Sequence, residues 1–206
     1  MSAAQATSVP SPQSQMIRRI AEKDGLVLAI KAAETGGKAG IGAVIVNPSD
    51  PKLIDGVQVA PLTLWPDDRG YFLEVARLGD PADEFTAGFG STQLSATLSY
   101  PGTIKAIHYH CRQTDVWAPV RGMFQVFLYD LRVLSPTFGR LNTFYIGSLR
   151  PWKLRIPPGV AHGYKVLGTE PAMLVYVTDR FYDPADEGRI AYDDPDIRYD
   201  WELQHK

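Results

Sequence analysis

Short apolar runs that recur about every ten residues from residue 42 onwards constrain the fold of this chain more than any other feature. Gly, Pro or Asp stands at many of the breaks, and the runs lie at 42–46, 57–65, 71–76, 93–99, 104–110, 116–120, 123–131, 141–146, 153–156 and 172–178. The 18 glycines and 16 prolines among 206 residues also favour short strands over long helices. The pattern therefore predicts an all-β sandwich or barrel.

The residues ahead of these runs have a different character. Residues 1–15 are rich in Ser, Ala, Gln and Pro, which predicts a disordered tail. Apolar residues at near-helical spacing predict an amphipathic helix within an N-terminal extension over 16–40, although the apolar run 26–30 leaves a short strand as the alternative. The remaining residues, 41–206, are predicted to form one barrel domain, with the helix packed on that barrel or on a partner chain.

Composition excludes several classes of protein. The formal net charge is −2, so no broad basic face for nucleic acid is expected. Cys111 is the single cysteine, which rules out an intramolecular disulfide and fits a reducing compartment. No stretch reaches the roughly 18–20 apolar residues of a membrane span, and the first 15 residues carry no signal-peptide core. We expect a cytoplasmic protein without a membrane partner.

The run 104–110 carries two histidines at alternate positions. In a strand, alternate side chains share a face, so His108 and His110 are expected to point the same way as Ala106. Lys105 is then expected on the opposite face. Two histidines on the inner face of a barrel reach the same cavity.

The spacing of four polar residues resembles the two motifs of metal-binding cupins. His108 and His110 are followed by Asp115, where the first motif usually has Glu, and His162 closes a Pro-x-Gly-x-x-His run of the partial second motif. In metal-binding cupins these motifs supply three His and one carboxylate, a set that suits a divalent transition metal with open positions for substrate. One hypothesis is therefore a metal-dependent cupin enzyme with these four residues as ligands.

A second and longer resemblance extends from about residue 56 to residue 201. Its matching segments, in order, are 68–74, 107–109, 130–132, 135–139, 156–164, 182–184, 187–188 and 193–196. In residue types and spacing they are similar to the dTDP-4-dehydrorhamnose 3,5-epimerase family. The resemblance implies a cupin or jelly-roll β-barrel, a homodimer, a nucleotide-sugar substrate and no metal or other cofactor.

The family resemblance also implies a chemistry. By motif position His108 is the base that removes the proton next to the C4 ketone of the sugar, and a neutral imidazole suits that step near neutral pH. The tyrosine that returns a proton falls on Tyr176 or on Val175, depending on where the alignment is anchored. An isomerase acting on a dTDP-4-keto-6-deoxy sugar or a similar keto-sugar is the leading hypothesis.

Binding roles follow from the same resemblance. The two positions that help hold the diphosphate fall on Arg69 and Lys105, and the glutamate that helps hold the nucleotide falls on Glu74. The family's glutamine ahead of the base falls on Gln93, a further substrate-binding position. We add His162, and Tyr164 just after it, as substrate contacts: a tyrosine there is placed to stack on a base or a sugar.

Departures from the family pattern leave the chemistry open. The family has a Lys that stabilises the developing enolate where this chain has Asp115, and it commonly has Gln where this chain has His110. No match for the family's base-orienting C-terminal Asp follows Trp201. Because the two substitutions complete the metal-cupin set, an epimerase-like scaffold that carries a metal remains as one alternative. Because the Lys and the C-terminal Asp are missing, a non-catalytic sugar-nucleotide-binding homologue remains as another.

Overall fold

The computed structural model describes residues 17–33 and 37–204, and the regular structure within them consists of fifteen β-strands. The strands are β1 (Ile17–Lys23), β2 (Leu26–Lys31), β3 (Ala43–Val44), β4 (Gln58–Pro61), β5 (Leu64–Asp67), β6 (Gly70–Leu73), β7 (Gln93–Ser99), β8 (Ile104–His110), β9 (Asp115–Arg121), β10 (Met123–Asp130), β11 (Leu141–Gly147), β12 (Trp152–Ile156), β13 (Val160–Leu167), β14 (Ala172–Thr178) and β15 (Glu187–Arg189).

Two facing sheets form the barrel. The six-stranded sheet has the order β15-β8-β13-β10-β11-β3, and the five-stranded sheet has the order β4-β12-β9-β14-β7. Strands β1–β2 and β5–β6 form two separate hairpins. The predicted all-β jelly-roll fold is confirmed. Nothing in the described part of the chain is a helix with the length and apolar character needed to cross a bilayer.

The six-stranded sheet is buried on both faces, which explains the nearly continuous apolar run of β10. Phe124, Val126 and Leu128 point between the two sheets, whereas Phe127 and Tyr129 point to the outer side. Alternation of side chains along one strand therefore serves two separate apolar layers. The outer layer is completed by β2 and by aromatic side chains near residue 200.

The predicted N-terminal helix was wrong. Strands β1 and β2 pair as an antiparallel hairpin, and the turn between them is Asp24-Gly25, both with positive φ (51° and 82°). Asp-Gly between two strands favours this tight turn, so the pair that weakens a helix specifies a hairpin instead. The predicted tail, 1–15, lies outside the described residues.

Strand β2 lies against the six-stranded sheet and covers its outer layer. The backbone N–H of Ala29 donates to the carbonyl of Leu131 at 2.9 Å, and the side chains of Leu28 and Ile30 are fully buried. Three consecutive buried residues do not fit one face of an amphipathic helix, but they fit a strand enclosed by other elements. The alternative strand reading of 26–30 is thus the correct one.

Candidate active site

A cavity of about 240 Å³ lies between the two sheets, with His108 in its wall. The cavity brings together most of the site residues that the sequence indicates: Gln93, Lys105, His108, His110, Asp115, His162, Tyr164 and Tyr176. These residues come from β7, β8, β9, β13 and β14, so the site depends on the assembled barrel and not on one segment. Glu187 of β15 and Gln113 of the loop after β8 also line it.

Strand β8 contains an irregularity that changes which residues face the cavity. His108 pairs with His162 and Lys105 pairs with Tyr164, so three steps along β8 oppose two steps along β13. An extra residue in one strand reverses the alternation beyond it. Lys105 therefore lines the cavity and Ala106 packs in the outer layer. The expected faces of these two residues were wrong.

Gly163 makes room for this irregularity. A Cβ atom on Gly163 would lie 2.5 Å from the Cβ of Ala106 and 2.9 Å from the carbonyl oxygen of Lys105. A glycine inside a strand commonly marks such a close approach of another backbone. The residue next to His162 thus permits Lys105 to enter the site.

His108 stands beside a carboxylate. Its Nδ1 atom lies 3.5 Å from Oε1 of Glu187, and the two side chains are 31% and 13% exposed. Burial lowers the pKa of His108, and nearby His162 lowers it further, while Glu187 acts in the opposite direction. The imidazole is therefore neutral at pH 7 and can accept a proton.

Glu187 reaches the base through the pairing of β15 with β8. Burial opposes ionisation of this carboxyl group, but hydrogen bonding from Arg189 and the proximity of His108 outweigh burial and lower its pKa. Glycine is required at position 188, between Glu187 and Arg189, because a Cβ atom there would lie 2.0 Å from the ring of Tyr109. The segment 187–188 belongs to the family resemblance, yet the sequence alone did not assign Glu187 to the base.

Asp115 is a buried carboxylate held by neutral donors. Its Oδ1 accepts a hydrogen bond of 2.7 Å from Nε2 of Gln113, and its Oδ2 accepts one of 3.2 Å from Nε1 of Trp117. Among the ion pairs of the described residues, the only basic side chain within reach is His162, whose Nε2 lies 3.5 Å from Oδ2. The anion therefore lacks a Lys or Arg partner in this part of the chain.

His110 and His162 lie together next to this carboxylate. Their rings stack with centroids 5.4 Å apart. One ligand atom from each of His110, Asp115 and His162 lies within 4.8 Å of the others, and all three residues are buried. His108 is not part of this group, so three of the four residues in the cupin-type ligand set come together and the fourth stands apart.

The loop that carries Gln113 is fixed from behind by Asp186. Its Oδ2 accepts from the backbone N–H groups of Arg112 and Gln113 at 3.2 and 3.1 Å. Lys23, at the end of β1, places its Nζ 3.5 Å from Oδ1 of Asp186. The first hairpin thus supports the loop that holds Asp115. No sequence pattern pointed to Gln113 or Asp186.

The five-stranded sheet supplies the opposite wall. Tyr176 lines the cavity together with Leu174 and Thr178 of β14, whereas Val175 is not among the lining residues. Of the two alignments left open by the sequence, the one through Tyr176 therefore gives a residue that faces the cavity. Tyr164 is buried, and its hydroxyl group lies 3.0 Å from Oγ of Ser99, so it forms a rigid part of the wall.

The cavity mouth is polar. The backbone N–H of Tyr182 donates to Oε1 of Gln93 at 2.9 Å, and Nζ of Lys105 donates to Oγ1 of Thr97 at 2.8 Å. Tyr182 also lines the cavity, which the sequence analysis did not anticipate. Lys105 is exposed and places a positive charge at the entrance.

Arg69 and Glu74 do not line the cavity of their own chain. The side chain of Arg69 is 83% exposed and pairs with Asp67 at the tip of the β5–β6 hairpin. Glu74 follows β6 and pairs with Arg77 at 2.7 Å. Both residues are presented to the outside of the molecule.

Comparisons with known proteins all point to one family. Residues 51–206 match the family model described as dTDP-4-dehydrorhamnose 3,5-epimerase. The spore coat polysaccharide biosynthesis protein SpsL of Bacillus subtilis (strain 168) is 44% identical over 156 residues, which cover 75% of this chain and 100% of that protein. The first hairpin lies ahead of the matched residues.

Solved structures resemble the fold as well. A dTDP sugar isomerase from Desulfovibrio desulfuricans G20 has a TM-score of 0.66 at 30% identity, covering 74% of this chain and 94% of that one. The 3'-monoepimerase ChmJ from Streptomyces bikiniensis, solved in complex with dTDP-quinovose, has a TM-score of 0.65 at 28% identity, covering 72% and 76%.

Proposed function

The chain belongs to the dTDP-4-dehydrorhamnose 3,5-epimerase family, and we propose that it is an isomerase that inverts carbons next to the ketone of a dTDP-4-keto-6-deoxy sugar or a similar nucleotide-linked keto-sugar. The observation that carries the proposal is the position of His108 in the cavity wall, where burial lowers the pKa of its imidazole and the carboxylate of Glu187 lies behind it.

His108 is the general base. With Nδ1 directed at Glu187, the Nε2 atom is the one free to take a proton from the carbon next to the ketone. Once protonated, the imidazolium is stabilised by the Glu187 anion, whose pKa is lowered. A carboxylate behind the histidine orients the ring and stabilises its charged form, as in other acid–base catalysts.

Tyr176 is the proton donor. His108 lies on β8 of one sheet and Tyr176 on β14 of the other, and both line the cavity between the sheets. Inversion of a carbon needs removal of the proton on one face and delivery of a proton on the other. A base and an acid on opposite walls meet that requirement without any movement of the sugar between them.

Two residues of the same chain contact the nucleotide end in this proposal. Lys105 stands at the cavity mouth with an exposed ammonium group for the diphosphate, and Gln93 of β7 lines the same cavity. Lysine provides a point charge without the bidentate fork of arginine, so its contact with phosphate is less directional. His162 and Tyr164 form the deeper wall against the sugar.

Arg69 and Glu74 contribute to the cavity of a second copy of this chain. The hairpin that presents Arg69 exposes Trp65 and Phe72, and strand β7, at the edge of the five-stranded sheet, exposes Leu94 and Leu98. Exposed apolar side chains on a hairpin and along a sheet edge suit a symmetric interface in which each copy offers both surfaces. The proposed assembly is a homodimer in the cytoplasm.

Deuterium incorporation tests the reaction. The protein is incubated in D₂O with dTDP-4-keto-6-deoxyglucose, and NMR and mass spectrometry follow C3 and C5 of the sugar. We expect exchange that is lost in His108→Asn. If no deuterium enters this sugar, the specific substrate is contradicted. If related keto-sugars bind but also take up no deuterium, the protein is a non-catalytic sugar-nucleotide-binding homologue instead.

A further inference from the structure

We infer that His110, Asp115 and His162 form a site for one divalent transition-metal ion, placed beside His108 but not including it. Three observations support this site: a buried carboxylate without a Lys or Arg partner among the described residues, the hydrogen bonds of the two histidines, and the distances among the three ligand atoms. Its role in the reaction rests on the proposed function, whereas the site itself does not.

The first argument is the charge of Asp115. This carboxylate is 5% exposed and receives hydrogen bonds only from the neutral groups of Gln113 and Trp117 within the described residues. A buried anion is costly unless a cation is close to it. A positive charge on the open side of Asp115, where the two histidines lie, balances it.

The second argument is the tautomer of His162. Its Nδ1 lies 3.0 Å from the carbonyl oxygen of Val160, and a carbonyl oxygen only accepts, so Nδ1 carries the proton. Nε2 of the neutral ring then directs a lone pair at Oδ2 of Asp115, 3.5 Å away. Two lone pairs facing each other repel, and a cation that binds both removes this repulsion.

The third argument is the tautomer of His110. Nε2 of Gln113 must be the amide nitrogen, since it donates to the carboxylate of Asp115. The same nitrogen lies 3.3 Å from Nε2 of His110, so this ring nitrogen is unprotonated and its lone pair accepts from Gln113. A metal ion at the site would replace this long hydrogen bond, while Gln113 keeps its shorter one to Asp115. One ligand atom of each of His110, Asp115 and His162 lies within 4.8 Å of the others. Two imidazoles and one carboxylate with open positions are a donor set for divalent transition metals.

The site resolves a conflict over His108. A nitrogen that holds a cation cannot take a proton, and a four-ligand set that includes His108 would remove the base. With His108 outside the group, base and metal coexist in one cavity. A divalent ion with one carboxylate ligand has a net charge of +1, the charge of the lysine that the family carries at this position. The metal thus supplies positive charge beside the developing enolate.

Metal content is the primary test, because it needs no substrate. Protein without an affinity tag is analysed by mass spectrometry for metals, stripped with a chelator, and titrated with Co²⁺ while its visible absorption is followed. We expect about one ion per chain, since residues 17–33 and 37–204 contain one such ligand set. Stripped protein that takes up neither Co²⁺ nor Zn²⁺, Mn²⁺, Fe²⁺ or Ni²⁺ overturns the site, even if deuterium exchange with the keto-sugar proceeds.

Variants separate ligand loss from misfolding. His110→Gln installs the residue common in the family and is expected to weaken Co²⁺ binding by more than the ~10–100-fold that loss of an outer-shell contact costs. Asp115→Asn is the second ligand variant. Trp117→Phe removes the hydrogen bond to Asp115 and part of the ring that packs against His162, but no ligand atom, and is expected within that ~10–100-fold range. Circular dichroism verifies that each variant folds.

His108→Asn is the matched control for the ligand assignment. It is expected to bind Co²⁺ as the unaltered protein does, while deuterium exchange is lost. If it loses Co²⁺ as His110→Gln does, the three-residue assignment is overturned in favour of a four-ligand set. Bound metal without exchange into any keto-sugar supports the site and contradicts the epimerase proposal. Exchange of unchanged rate after complete metal removal overturns the role of the metal in catalysis.

Discussion

Replacing Glu187 with glutamine tests whether its carboxylate acts through His108. The substitution keeps the shape of the side chain and removes its negative charge, which lies 3.5 Å from Nδ1 of His108. Because the histidine becomes positive only as it takes the proton, the lost attraction affects the transition state more than the bound substrate. We therefore expect kcat to fall and KM to stay nearly unchanged.

The distance sets the size of the effect. Two unit charges 3.5 Å apart interact by about 1.2 kcal/mol at the dielectric constant of water and by about 4.7 kcal/mol at an effective value near 20. Arg189 lies 2.8 Å from the same carboxylate and offsets part of its charge, which favours the lower part of this range. A loss of about 1–2 kcal/mol corresponds to a ~5- to 30-fold decrease in kcat.

The assay is the initial rate of deuterium entry at saturating keto-sugar, with thermal unfolding as a check on the fold. Glu22→Gln is the matched control, since Glu22 is an exposed glutamate on β1 that pairs only loosely with Arg19 at 3.9 Å. Its kcat should equal that of the unaltered protein. A Glu187→Gln variant that keeps kcat within twofold, or that changes only KM, refutes the reasoning.

Three further predictions concern the base, the assembly and the fold. Because burial lowers the pKa of His108, kcat/KM should rise through an apparent pKa below about 6.5 and then level off; a rise centred above pH 7 contradicts the base assignment. Mixing inactive His108→Ala and Arg69→Ala proteins should restore about a quarter of the full activity, since half the dimers are hybrids with one intact site each; no recovery after verified subunit exchange excludes Arg69 in the partner's cavity. Asp130 is buried, but hydrogen bonds from Arg132, Ser135 and Thr137 outweigh burial and lower its pKa, so Asp130→Asn should cost about 1–3 kcal/mol in unfolding free energy at pH 7. A carboxylate whose pKa is lowered in the folded state stabilises the protein above its ordinary pKa of about 3.9, and this stabilisation is lost as the pH falls through the folded-state pKa. In urea unfolding, the loss of unfolding free energy in Asp130→Asn should therefore be smaller at pH 3 than at pH 7. An equal loss at both pH values would contradict this account.

Local patterning was sufficient for the strands and for part of the site. Alternation along β8 correctly put His108 and His110 on one face, because both lie on the same side of the irregularity. It failed for Lys105, since the extra residue depends on how β8 pairs with β13, some sixty residues away. A glycine at position 163, inside a strand, could have indicated the irregularity, but its role is clear only from its close approach to the β8 backbone in the structure.

Contacts between segments far apart in the chain could not be predicted from the sequence. Glu187 lies in a three-residue strand whose pairing with β8 is set by the assembled barrel, so no periodicity points to His108. The N-terminal helix was predicted because Leu28 and its apolar neighbours fit a helical period as well as a buried strand, and short apolar runs do not distinguish the two. The Asp24-Gly25 turn was the signal that decides between them.

We expect the first hairpin to fold and unfold together with the barrel, although it lies ahead of the residues that match the family. The family match begins at residue 51, yet Leu28 and Ile30 cover the outer layer of the six-stranded sheet, and Lys23 contacts the Asp186 that fixes the Gln113 loop. A fragment cut at the start of the family match would lose the β2 side chains that share the outer layer with Phe127 and Tyr129. Truncation at residue 51 is therefore expected to perturb the active site as well as the outer layer.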